Sequence, residues 1–210
     1  MKKHSDSTVR QFARDLAARR ATPGGGSASA AAAAIGVSLL IMAAKFGIGS
    51  HRAKKTEKEI EKMLGELAKS RMILLGLIDK DAESFGLVCR AMKLPKVSAQ
   101  AAEFRRKRIQ AALKKSLSVP VRVFEVSSGT LPAAERLLAI GNRNLESDVY
   151  CAVSLIRSGM ETAKFNMDAN LKYISDSGFR AKFFKKYRAR VGKSLSRAGS
   201  IIKNHESENH

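Results

Sequence analysis

Apolar residues recur every three or four positions along most of the chain, the period of helices that bury one face, and only Pro23, Pro95, Pro120 and Pro132 interrupt them. The pattern predicts an all-α, single-domain helical bundle over residues 1–203, followed by a polar tail over 204–210. A first helix is predicted from about Ser7 to Arg20, with Ser7 as N-cap and Val9, Phe12, Ala13 and Leu16 on one face. After Thr22-Pro23-Gly24-Gly25-Gly26, a second helix is predicted from Ser27, capped by its hydroxyl, to about Phe46; small residues surround it, so it should be buried on every side.

The third helix is the longest, from about Lys54 to Met92, with Ile60, Leu64, Leu67, Leu74, Ile78, Ala82, Phe85, Cys89 and Met92 in register. At ~1.5 Å per residue it extends nearly 60 Å, wider than a small globule, which points to a bundle or an oligomer. Leu94-Pro95-Lys96 stops it. A basic amphipathic helix follows over Ser98–Ser116, and another over Ser118–Ile140, with Pro120 in its first turn and Pro132 as a kink or break. Gly141-Asn142-Arg143-Asn144 reads as a turn, and helices over about Asn144–Asp168 and Asp176–Ile202 complete the bundle.

Composition sets the size of the core and the sign of the surface. The 210 residues, 44% hydrophobic, are enough for one sizeable core, and the net charge of +20 favours polyanionic partners. Cys89 and Cys151 form no CxxC pair, which excludes a disulfide framework and a zinc ribbon and suits a reduced, cytoplasmic protein. The uncharged run from Ala28 to Ala44 is mostly alanine, with Ser29 and Ser38 inside it; it reads as a buried helix rather than a membrane span or signal peptide.

Three glycines in tandem are entropically costly for a simple connector. A glycine-rich turn feeding a helix start exposes backbone N–H groups and the positive end of a helix dipole, which suits a carboxylate, phosphate or carbonyl oxygen. No Gly-Lys-Ser/Thr follows and no strand precedes it, so it is neither a Walker loop nor a dinucleotide fingerprint. An interhelical turn is the plainer reading. Asp81, between Ile78 and Phe85 on the apolar stripe, should be partly buried, as either a general acid or one half of a salt bridge. Asp148 falls in the first turn of the sixth helix, with Asn144 or Ser147 as candidate caps; it is either a base or a plain dipole-stabilising acid. Asn166 and Asn170 share its helix face, but eighteen residues from Asp148 to Asn166 span ~27 Å, too far for both to touch one reacting carbon within a subunit.

The string Ala21-Thr22-Pro23-Gly24-Gly25-Gly26-Ser27-Ala28 before an alanine-rich helix resembles the signature of the cyclodeaminase/cyclohydrolase family of folate enzymes. Further stretches resemble it in order: Asp81-Ala82-Glu83-Ser84-Phe85 leading to Leu94-Pro95-Lys96, Gly141-Asn142-Arg143-Asn144-Leu145-Glu146-Ser147-Asp148, and Asn166-Met167-Asp168-Ala169-Asn170-Leu171. The resemblance covers roughly Thr8 to Leu195. It implies a helical homodimer acting on a one-carbon unit of a tetrahydrofolate derivative, as a methenyltetrahydrofolate cyclohydrolase or a formiminotetrahydrofolate cyclodeaminase, without a metal or a bound cofactor. The implied pocket joins Thr22, Pro23, Gly24, Gly25, Gly26 and Ser27 to Asn142, Asn144 and Ser147, with Asp81 and Asp148 as catalytic acids or bases. The chain departs from the family at Lys45-Phe46-Gly47, where the family has Asn-Leu-Thr; if that Asn belongs to the pocket, the reaction differs or is lost.

The basic stretches, Arg105-Arg106-Lys107-Arg108 and the last helix, are solvated faces in the simplest reading and a glutamate-tail anchor in the folate reading. The alternative is a non-catalytic family member that binds nucleic acid or another polyanion through this surface. No nucleic-acid motif supports it, and Phe183, Phe184 and Tyr187 sit on what should be the buried side of their helix.

Overall fold

In the computed structural model, which describes residues 3–48 and 54–208, every regular element is helical. The helices are α1 (Val9–Ala17), α2 (Gly25–Lys45), α3 (Lys54–Met92), α4 (Ala99–Gly129), α5 (Leu131–Ile140), α6 (Glu146–Tyr173) and α7 (Ser177–Glu208), with a 3₁₀ turn over Arg143–Leu145 before α6. The backbone of α7 carries the helix through most of the expected tail; residues 1, 2, 209 and 210, the ends of the expected domain and tail, lie outside the described residues.

The core is built by α2, α3, α4 and α6, with α5 and α7 packed outside them. Helix α2 runs antiparallel to both α3 and α6. Ser27 meets Ile78 and Gly47 approaches Ile60, while Gly36 lies against Ala152 and Ile156, and Gly159 against Ala33 and Ser29. A Cβ on Gly36 would come within 2.7 Å of the Ala152 carbonyl, and one on Gly159 within 2.8 Å of the Ala33 Cβ. The α2–α6 pair therefore packs backbone to backbone, and its small residues are what allow the approach.

Burial of α2 is less complete than its composition suggests. By length and apolarity this helix could cross a membrane, yet most of it is buried by its neighbours. Its outward stripe remains open: Ile35 is 54% exposed and Phe46 62%. A helix hydrophobic on all sides has more apolar surface than three neighbours can cover.

Local chemistry shifts several element boundaries. Thr8 caps α1 in place of Ser7, its hydroxyl oxygen accepting from the Gln11 N–H at 3.1 Å, and the helix ends at Ala17 instead of Arg20. Helix α2 starts two residues before Ser27, at Gly25 with Gly24 as cap, so the Ser27 hydroxyl is free to bond to α3. The two prolines exchange the expected roles. Pro120 lies buried inside a continuous α4, and Pro132 occupies the first turn of α5 after the break at Thr130. A proline costs little in a first turn because the first N–H groups of a helix have no internal acceptor.

Candidate functional site

The glycine turn, α3 and the C-terminal end of α6 enclose a cleft of about 330 Å³. Thr22, Gly24, Gly25 and Gly26 form one wall, Asp81, Phe85, Val88 and Met92 another, Leu113 and Ser116 a third, and Asn166, Ala169, Asn170 and Tyr173 the fourth. Larger grooves lie between α3 and α4 and between α6 and α7, but the cleft is where a buried acid, a helix start and two amides converge. Phe85 and Met92, expected in the core stripe of α3, are 42% and 51% exposed, because α2 begins level with Asp81 and the apolar face of α3 beyond that point lines the cleft.

Asp81 belongs to this site by construction. The first turn of α2 lies alongside α3, and Ser27 in it donates to Asp81 Oδ2 at 3.0 Å when its hydroxyl is not turned to the Ile78 carbonyl at 2.9 Å. The carboxyl group lies so close to the Gly26 Cα that a Cβ there would be 2.1 Å from Oδ1. Only glycine fits. Burial pushes the Asp81 carboxyl above its ordinary value, against the opposing pull of hydrogen bonds from the Ser27 side chain and backbone. No cation pairs with it among the described residues, which removes the salt-bridge reading. Ser27 has one proton for two acceptors, so a protonated Asp81 can donate to Ser27 Oγ while Ser27 donates to Ile78.

Asn166 and Asn170 complete the cleft from α6. Each donates its amide N–H to the backbone carbonyl one turn earlier, Thr162 at 2.8 Å and Asn166 at 2.9 Å. Their spacing from Asp148 marked them as separate from that residue; what the sequence alone did not reveal is that α2 and α6 run antiparallel, which sets Asn166 beside Gly25.

The other expected site residues lie at the far end of the same helix pair. Asn142 accepts from the Asn144 N–H at 3.0 Å and so caps the 3₁₀ turn, not α6, whose cap position is Leu145 without a side-chain bond. Asn144 and Ser147 are exposed and Asp148 is half-buried in the first turn of α6. Within one chain these four do not meet the glycine turn and Asp81, because eighteen helical residues of ~1.5 Å stand between Asp148 and Asn166. Lys45 closes α2 at that same far end, not in the cleft. Pro23 is buried behind the glycine wall, after a cis peptide bond from Thr22.

Among the described residues no three His, Cys, Asp or Glu side chains gather as a metal site. Tyr187 is buried, stacked on Phe183 and donating its hydroxyl to Glu125 at 3.2 Å, so these two rings belong to the packing of α7, whereas Phe184, expected on the same buried side, is 49% exposed.

The model of the Formiminotransferase-cyclodeaminase family matches residues 8–189. The chain is 32% identical over 174 residues to the methenyltetrahydrofolate cyclohydrolase of Methylorubrum extorquens, covering 83% of this chain and 84% of that protein. It is 29% identical over 197 residues to the formimidoyltransferase-cyclodeaminase of Mus musculus, covering 94% of this chain but 36% of that protein. The chain thus spans about a third of the length of its mammalian relatives. The crystal structure of formiminotetrahydrofolate cyclodeaminase from Thermotoga maritima superposes with a TM-score of 0.81 at 29% identity, covering 95% of this chain and 97% of that one.

Proposed function

Because the chain belongs to the Formiminotransferase-cyclodeaminase family, we propose that it acts on a one-carbon unit bridging the nitrogens of tetrahydrofolate, as a methenyltetrahydrofolate cyclohydrolase or a formiminotetrahydrofolate cyclodeaminase. The observation that carries this reading is the charge of the cleft. In a chain of net charge +20, no Lys or Arg among the described residues lines it, and Asp81 is the one carboxyl among them that does. Such a wall accepts a planar, cationic, N–H-rich substrate, and the methenyl bridge is a delocalised cation.

Asp81 then serves both directions of proton transfer. In hydrolysis, water adds to the bridge carbon and gives one proton to the carboxylate; that proton passes to one ring nitrogen as its bond to carbon breaks, while the hydroxyl proton of the adduct is released to solvent as the C=O of a formyl group forms on the other nitrogen. In the deaminating reaction, a folate N–H attacks the formimino carbon while the protonated acid gives its proton to the imino nitrogen; the carboxylate so formed takes the proton of the attacking nitrogen and passes it to the amino group, and ammonia leaves as its bond to carbon breaks. A carboxyl whose pKa is raised by burial holds a proton more readily than an ordinary carboxylate and so is better suited to accept one and pass it on. Gly25 and Gly26 in the first turn of α2 line the cleft, where the positive end of the helix dipole favours charge developing on the added oxygen. Neither route calls for a bound cofactor, and folate enters as substrate. A reduced, cytoplasmic setting agrees with Cys89 and Cys151, both free thiols.

The second copy implied by the family completes this reading. The open stripe of α2 is uncharged, and by the register that sets Gly26 against Asp81 and Gly47 against Ile60 its Ile35 stands level with Met72, 62% exposed on α3. Ile35 is the midpoint of Gly25 and Lys45, (25 + 45)/2 = 35. A two-fold axis there would set the glycine turn of one protomer near the opposite end of its partner, where the partner subunit's Asp148 resides.

The test is spectrophotometric, following the methenyl chromophore with methenyl-tetrahydrofolate and formimino-tetrahydrofolate in parallel. Loss of the chromophore from the first or its formation from the second is expected. Inactivity toward both, with no tetrahydrofolate binding by calorimetry, overturns the assignment.

A further inference from the structure

Asn166 and Asn170 hold their amides in a fixed sense. The nitrogen of each faces a backbone carbonyl at hydrogen-bond distance, and an amide oxygen in that place would set acceptor against acceptor. Each Oδ1 is therefore the atom left over, and it receives no donor among the described residues. Both side chains line the cleft. One helical turn separates them, which places such side chains about 5–6 Å apart. A single –NH₂ group donating two hydrogen bonds of ~2.9 Å at ~120° reaches two oxygens about 5 Å apart. The spacing fits one amino group seated between two amide oxygens, while Phe85 and Tyr173, 42% and 65% exposed, offer ring faces to a flat heterocycle.

Resting on the folate reading of the cleft, we infer that Asn166 and Asn170 are specificity-determining residues that accept the exocyclic 2-amino group of a 2-amino-4-oxo pyrimidine ring. Asp81 is left to face the one-carbon unit at the Gly26 side. The pair selects aminated rings over the corresponding ring without the amino group, because the latter leaves both amide oxygens desolvated and unbonded.

The experiment changes ligand and protein together. Calorimetry measures binding of 6-methyltetrahydropterin and of the analogue carrying hydrogen in place of the 2-amino group, to the wild-type chain and to Asn170→Leu. The wild type is expected to bind the aminated ring about tenfold or more tightly, because the analogue loses both hydrogen bonds of the amino group without replacement. In Asn170→Leu that ratio is expected to fall toward one, a coupling that a purely structural role for Asn170 does not produce. Equal binding of the two rings by the wild type overturns the inference even where the variant misfolds, and so does an unchanged ratio in a folded variant. If methenyl-tetrahydrofolate is turned over while the two rings bind alike, this inference alone fails; if the wild type binds neither ring nor any tetrahydrofolate, the proposed function fails with it.

Discussion

The two ends of the α2–α6 pair each offer a carboxylate at the start of a helix, and they treat it differently. At one end Asp148 sits in the first turn of its own helix, half-buried, with no side-chain cap beside it. At the other, Asp81 is supplied by α3 to the start of α2, bonded by Ser27, cradled on Gly26 and pushed up in pKa by burial. A helix start alone favours ionisation, and that describes thousands of surface acids. Enclosure by a second element opposes ionisation, and the balance between them makes a proton-transfer group. Sequence position does not distinguish the two cases; the packing of α2 on α3 does.

The largest effect should come from removing the enclosed acid. Asp81→Asn keeps a hydrogen-bonding group of the same size beside Ser27 and is expected to lower turnover about 10²- to 10⁴-fold with the helical signal intact. Asp148→Asn tests the other end: if the partner's copy enters the site, it too is inactive, and mixing the two variants under exchanging conditions regains activity in the mixed dimers. Failure of the mixture to recover, with Asp148→Asn fully active by itself, would confine the site to one chain.

Gly26→Ala comes next. Its Cβ displaces the Asp81 carboxyl, so activity should fall tenfold or more, with a stability loss of about 1–3 kcal/mol in urea unfolding. Gly159→Ala forces α2 and α6 apart away from the cleft; helix propensity returns up to ~1 kcal/mol and overpacking removes about 1–3, so unfolding shifts while the pH profile of turnover does not. The smallest effect is in the pH dependence of stability. Folding raises the pKa of Asp81, so the folded chain holds that proton more tightly than the unfolded one. Its contribution is fully present below the unfolded carboxylate value and is lost as pH rises through the folded one. Urea midpoints of wild type minus Asp81→Asn, measured from pH 3 upward, should fall across that window; a flat difference contradicts the direction of the shift.

Much of this architecture was legible in the periodicity. The 39-residue α3 follows the spacing from Ile60 to Met92, and its ends at Lys54 and Met92 match the reading from sequence. Capping was less legible, because Ser7, Thr8 and Ser27 are equally good caps by type, and the choice depends on what else each hydroxyl can reach; Ser27 reaches α3. Pro120 escaped because a long helix with a buried face can lose one internal hydrogen bond and still be held by its neighbours. For the candidate site, stripe position indicated the partial burial of Asp81, and the resemblance joined it to the glycine turn, with which it lines one cleft. Asn166 and Asn170 were placed on the right face but not in the cleft, since the antiparallel register of α2 and α6 is a tertiary fact carried by Gly36 and Gly159.

The bond between Ser27 and Asp81 joins residues 54 positions apart in the chain. Before α2 docks on α3, Asp81 is an ordinary solvated carboxylate, and its unusual proton affinity comes into being with the docking. The protonation state of this one side chain, followed by the infrared carbonyl band of the neutral acid, is thus a local clock for assembly of the bundle, and the order in which that band and the far-ultraviolet helical signal appear on refolding separates helix formation from helix association.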